Sequence, residues 1–212
     1  MTKIDTCKQY VLAIAAEGIN HKEFERRAET YADYQRSQGL EAFVETFDTK
    51  LGKKLRREVV EGIIRRYLSK PSECAEVAIF CHGGKKWLQT GHNSGQYTGY
   101  TVKNLANALT SNHDMPDPDV VLYACWCGKH FAKHLAMHLN FGCVAAHASK
   151  GHTTLNPQVV WFEPRTALGK QCVSVTSLCE GDPKTVKDMG EKFKRREVRY
   201  DLMRAYYDRW ND

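Results

Sequence analysis

The chain lacks any apolar stretch approaching the roughly 20 residues that a membrane-spanning helix needs, which argues against a helical membrane protein. A convincing leader is missing too. The opening segment MTKIDTCKQYVLAIAAEG has only a short apolar run, interrupted by Lys8 and Gln9, and that reads against secretion. Internal repeats, low-complexity tracts and linkers are absent, so the 212 residues read as one domain, with a core of about 8–164 and a helical extension over 182–212. Eight cysteines without a secretory signal suggest reduced thiols in a cytoplasmic protein rather than a disulfide framework. Several of them, Cys81, Cys143 and Cys172, sit inside apolar runs as small core residues do.

Apolar residues make up 42% and charged residues 26%, the composition of an ordinary globular protein with a sizeable core. The net charge of +6 is moderate. Basic residues cluster in Lys53–Arg66 and Lys184–Arg199, both of helical character, and neither cluster is interleaved with the aromatics and glycines of single-strand binders. Two amphipathic helices with solvated basic faces explain them better than a nucleic-acid partner does.

The most informative stretch is Val120–Gly128, VVLYACWCG. An apolar, partly β-branched run bounded by turn signals suits a strand buried on both faces. The following KHFAKHLAMHL reads as a helix over 129–139. The thiol at the junction would then stand at the carboxyl edge of a sheet, where open α/β folds bind ligands. It would also lie beside a helix N-terminus, which favours thiolate.

In order, the chain offers a strand over 10–16, a helix after Asn20 ending at Gly39, and a strand over 40–47. Thr49–Leu68 repeats Leu51, Leu55, Val59, Ile63, Ile64 and Tyr67 at spacings of three and four, as one helix face requires. The run Val77–Phe80 predicts a third strand, ending in Cys81-His82-Gly83-Gly84, and residues 85–100 read as a polar loop. Thr101 is placed to cap a helix in VKNLANALTSN, and CVAAHAS and VVWFE supply the last two strands. Alternation of this kind predicts an α/β fold: a three-layer αβα sandwich with a mostly parallel six-stranded sheet and helices on both faces.

If the strands ending at His82 and Cys125 are neighbours, their carboxyl ends lie about 5 Å apart. A thiol and an imidazole at that distance can act on one substrate carbonyl, one as nucleophile and the other as proton carrier. The backbone N–H groups of Gly83 and Cys125 are then candidate oxyanion donors. Cys81 alternates to the opposite side from His82 and reads as core.

The pair of strand endings, VAIFCHGG and VVLYACWCG, resembles the caspase-like cysteine peptidases, a superfamily that includes caspases, metacaspases, legumains, gingipains, separases and CHAT domains. The A-C-x-x-G ending is closest to CHAT domains, and the resemblance covers roughly residues 10–163. It implies a peptidase with His82 as general acid/base, Cys125 as nucleophile and Gly83 in the oxyanion hole, acting on protein or peptide substrates without a cofactor or metal. Caspases carry Gln, and metacaspases Asp, two positions before the nucleophile, where the residue shapes the substrate pocket. Here that residue is Tyr123, so neither Asp nor Arg/Lys preference carries over.

Other readings stand beside this one. Taken alone, Cys125 is a buried strand-end cysteine, and it gains a role only together with His82. Cys127 is an alternative nucleophile. His147, ending a strand, either lines the cleft with Tyr123 or packs. His130, His134 and His138 share a helix face, with Cys127 three residues earlier, a zinc-like pattern that lacks a second ligand cluster. A catalytically weak binding or regulatory module with a protein partner, and a zinc- or nucleic-acid-binding protein, are the alternatives to the peptidase. Oligomeric state is not fixed by the sequence.

Overall fold

The computed structural model describes residues 9–17, 22–48, 53–89, 96–97, 101–147, 159–165 and 169–172. The expected helical tail over 182–212, Asn20, His92 and His152 lie outside the described residues. In order come β1 (Gln9–Glu17), α1 (Lys22–Ser37), β2 (Glu41–Asp48), α2 (Lys53–Leu68), β3 (Glu73–Phe80), and the short strands β4 (Gly83–Gly84), β5 (Trp87–Gln89) and β6 (Gln96–Tyr97). They are followed by α3 (Val102–Leu109), β7 (Asp119–Tyr123), a 3-10 turn (Cys127–Lys129), α4 (Phe131–Ala136), β8 (Val144–His147), β9 (Val159–Phe162) and β10 (Gly169–Cys172).

The main sheet runs β10-β9-β8-β7-β3-β1-β2. Five of its strands are parallel to one another, and β9 and β10 pair antiparallel at one edge. This is an α/β fold with a mostly parallel sheet flanked by helices. The sheet has seven strands where six were expected. The extra one, β10, is the sequence GKQC, which carries a glycine and no apolar alternation to mark it. Residues 85–100, expected as loop, contain β5 and β6, which form a second, three-stranded sheet with β4. Strands of two or three residues are too short to show periodicity.

The strands that read as continuous apolar runs are the central ones. Every residue of β3, β7 and β8 is buried, as strands covered on both faces must be. Alternation sorts their side chains into two cores. Leu12, Ile14, Val77, Ile79, Val120 and Leu122 face Ile63 and Ile64 of α2, Leu105 of α3 and Phe131 of α4. Val11, Ala13, Ala78, Phe80, Val121 and Tyr123 face Ala28, Tyr31 and Ala32 of α1. Fully burying one such aliphatic or aromatic side chain stabilises the fold by about 1.5–3 kcal/mol.

Helix ends match the signals in part. Gly39 takes φ +85 after α1, a left-handed turn that costs glycine little. Thr101 occupies the position before α3, where its carbonyl accepts from the Asn104 N–H at 3.0 Å while its side chain makes no capping hydrogen bond. The helix after Cys125 is shorter than the predicted 129–139, because His130 departs from helical geometry and delays α4 to Phe131. Cys125 therefore does not sit at a regular helix N-terminus. No helix among the described residues is long and apolar enough to cross a membrane.

Near the start of β3, the Lys70 ammonium stands 3.7 Å from the Phe43 ring centroid, 4.1 Å from Tyr67 and 5.6 Å from Tyr10. Tyr10 donates its hydroxyl hydrogen bond to the Tyr67 carbonyl at 2.5 Å. The cation thus pins the end of α2 to β1 and β2. Replacing Lys70 with Met keeps the aliphatic stem and removes the charge, and should lower stability by about 1 kcal/mol in urea unfolding. An unchanged midpoint would show that the stem alone does the pinning.

Candidate active site

β3 and β7 are adjacent and parallel, with Phe80 registered against Tyr123. His82 and Cys125 each lie two residues beyond that last matched pair. The two strand ends stay together past the ladder, since the Cys81 N–H donates to the Tyr123 carbonyl at 3.4 Å. A Cβ built on Gly83 would stand 3.1 Å from the Cys125 carbonyl oxygen. The His82-Gly83 backbone and Cys125 are therefore side by side at the carboxyl edge of the sheet.

His82 is exposed, and its ring meets Phe24 of α1 edge-on, with centroids 4.9 Å apart. Desolvation where the ring packs lowers its pKa from the ordinary histidine value, which favours the neutral imidazole at pH 7. Cys125 is partly buried, retaining access to solvent. Between the two thiols, Trp126 adopts φ 63, a left-handed conformation that a bulky residue rarely takes. That reversal ends β7 at Tyr123 rather than letting the strand run toward Gly128.

Cys127 behaves differently. It is 0% exposed, and burial pushes its thiol up to about 12, against a Gly84 N–H that favours the thiolate. Its Sγ donates to the Trp87 carbonyl at 3.5 Å, and a Cβ on Gly83 would stand only 2.5 Å from that sulfur. Cys127 is thus a peg beneath the β4–β5 hairpin, which begins at His82 through the Gln89 N–H to His82 carbonyl bond of 2.9 Å. A thiol in that state is a poor nucleophile at neutral pH. Cys127 is buried, whereas His130 and His134 are both exposed. Among the described residues no group of three His, Cys, Asp or Glu side chains is placed to hold a metal ion.

Tyr123 stacks on Phe80 with centroids 4.3 Å apart and meets His147 at 5.9 Å. His147 is buried, with its pKa pushed down to about 4 by burial. Cys81 is buried in the opposite core, as its alternation suggested, and burial raises its thiol well above the usual range. The packing of Phe24 on His82 and the peg role of Cys127 were missed from the sequence. No family model matches the chain, and no curated protein matches it either.

Two outcomes follow. Iodoacetamide at neutral pH should modify Cys125 ahead of Cys81 and Cys127 in the folded chain, as read by peptide mass mapping; equal modification of Cys127 would contradict its buried state. Stability should also fall on acidification. Unfolded His147 binds a proton near pH 6.5 while the folded side chain resists it down to about 4, so stability present above 6.5 is lost progressively toward pH 4. The loss amounts to about 3 kcal/mol, and His147→Phe should flatten that slope in pH-dependent unfolding.

Proposed function

We propose that the chain is a cysteine endopeptidase of the caspase-like kind, with a three-layer αβα core, acting in the cytoplasm on protein or peptide substrates. The observation that carries this reading is the register of β3 against β7, which sets the His82-Gly83 segment beside Cys125. Neutral His82 takes the proton from the Cys125 thiol as the sulfur attacks the peptide carbonyl. The tetrahedral oxyanion gathers N–H donors from Gly83 and Cys125. Protonated His82 then delivers its proton to the departing amine, leaving a thioester on Cys125. Water, deprotonated by His82, attacks the thioester; its collapse releases the carboxylic acid, and the proton returns to the Cys125 sulfur.

Gly83 suits this role because any side chain there would collide with Cys127 and with the Ala124 Cβ, 2.7 Å from the built Cβ. The close fit keeps the His82-Gly83 backbone against the nucleophile's turn. Cys127 supports the arrangement from below without entering the chemistry.

Replacing Cys125 with Ala should abolish peptide cleavage while leaving the thermal midpoint within about a degree or two, since the site is partly open to solvent. His82→Asn should lower kcat/KM by about 10²–10⁴-fold, the usual size of a general acid/base contribution. Cys127→Ala should retain cleavage but lower stability. Peptide-library cleavage with wild type and the three variants decides the matter: activity surviving in Cys125→Ala sinks the assignment, and activity lost only in Cys127→Ala exchanges the nucleophile. Stoichiometric labelling of Cys125 by a peptide electrophile without turnover would favour the regulatory-module reading.

A further inference from the structure

Carboxylates are unevenly spread along this chain. Residues 82–113 and 120–162 contain no aspartate or glutamate, yet they hold six lysines and eight of the nine histidines. These two segments supply the β4–β5 hairpin that begins at His82, the helix α3, and the turn and α4 that follow Cys125. Basic side chains elsewhere meet carboxylates: Arg26 and Arg27 reach Glu23 at 2.6 and 2.9 Å, and Arg66 reaches Glu45 at 2.6 Å. Lys85, Lys86, Lys103 and Lys133 form no ion pair with any described residue.

The fold gathers these charges on one surface. Lys85 and Lys86 are exposed at the hairpin tip, and Phe131, the first residue of α4, donates its N–H to the Lys85 carbonyl at 3.0 Å. The Lys85 ammonium stands 5.9 Å from the ring centroid of Trp126, the residue after Cys125. Lys133, His134 and His138 continue the stripe along α4 and its end, with the two histidines exposed and four positions apart on one face. The pKa of His138 is lowered by desolvation first and then by nearby Lys103 and His134, which brings the lysine of α3 into the same field. From Phe131 to His138 the stripe runs roughly 10 Å. Like charges collected without counter-ions repel one another and draw in an anion. The stripe has lysines and no arginine, so it lacks the planar fork that clamps phosphate. Lys85 lies over the Trp126 ring, which leaves that ring a poor platform for stacking a base. Spaced ammonium groups suit carboxylates arriving one at a time along a flexible peptide.

We propose that the stripe from the Lys85-Lys86 hairpin tip along α4 to Lys103 docks an acidic peptide segment, a run of aspartate and glutamate side chains. That the segment belongs to the substrate attacked by Cys125 rests on the peptidase reading; the docking itself does not.

Binding is measured on the full chain carrying Cys125→Ala, by fluorescence anisotropy of a labelled peptide with a hexaglutamate block and of its hexaglutamine twin. The hexaglutamate peptide should bind about ten-fold tighter or better, and added salt should weaken it several-fold. Lys86→Gln with Lys133→Gln should remove about ten-fold of that affinity. Arg65→Gln with Arg66→Gln changes the net charge equally on α2 and should leave the affinity unchanged. Equal loss in the two double variants overturns the proposal, since net charge alone then explains the binding. Equal affinity for the two peptides overturns it too, and so does tighter binding by a single-stranded oligonucleotide of matched charge. In a second arm the wild type cleaves a peptide that carries either block, placed on each side of the scissile bond in turn. The hexaglutamate form should show a KM about ten-fold lower at similar kcat, with the block on one side. Cleavage with equal KM for every form overturns the proposal and leaves the peptidase reading intact. Tight binding that depends on Lys86 and Lys133, without cleavage of any peptide, supports the docking surface and removes the peptidase reading.

Discussion

The ladder between β3 and β7 is the constraint on which the rest of the molecule depends. Its five matched pairs, from Glu76–Asp119 to Phe80–Tyr123, fix which residues leave the sheet together. A slip of one residue would turn His82 away from Phe24 and exchange the two cores, since strand side chains alternate with period two. Both strands are buried on both faces, so a slip would also expose or clash apolar side chains along their whole length. The packing that stabilises the fold and the register that forms the site are one and the same arrangement.

The same ladder explains how two cysteines only two positions apart take such different states. Trp126 turns the chain back through a left-handed conformation, leaving Cys125 partly exposed at the sheet edge and driving Cys127 under the Gly83-Gly84 hairpin. One cysteine stays partly exposed at the sheet edge and the other is buried beneath the hairpin. The hairpin is closed by the Gln89 N–H to His82 carbonyl bond and tied to Cys127 through the Trp87 carbonyl.

Much of this was legible in the sequence because burial and alternation leave strong marks. Val77–Phe80 and Val120–Tyr123 are apolar enough to declare central strands, and the His-Gly and Ala-Cys endings declare where those strands stop. What was not legible depended on contacts between distant segments. Nothing in GKQC announces a strand, because β10 owes its conformation to pairing with β9. The fate of Cys127 depends on Trp87, 40 residues away in the chain. The length of the helix after Cys125 was overestimated because KHFAKHLAMHL has helical periodicity throughout, while the turn at His130 is imposed by the chain entering from the sheet edge. Local pattern sees composition; it does not see what a segment must join.

At the far side of the sheet, β2 is the outer strand, and its sequence EAFVETFD carries carboxylates at Glu41, Glu45 and Asp48. Glu45 is already engaged, accepting from Arg66 at 2.6 Å and from the Tyr67 hydroxyl at 2.7 Å. Another chain adding a strand along this edge would have to align its own backbone beside three acidic side chains, one of them committed to α2. The acidic residues thus raise the cost of adding another strand along β2, the outer strand among the described residues.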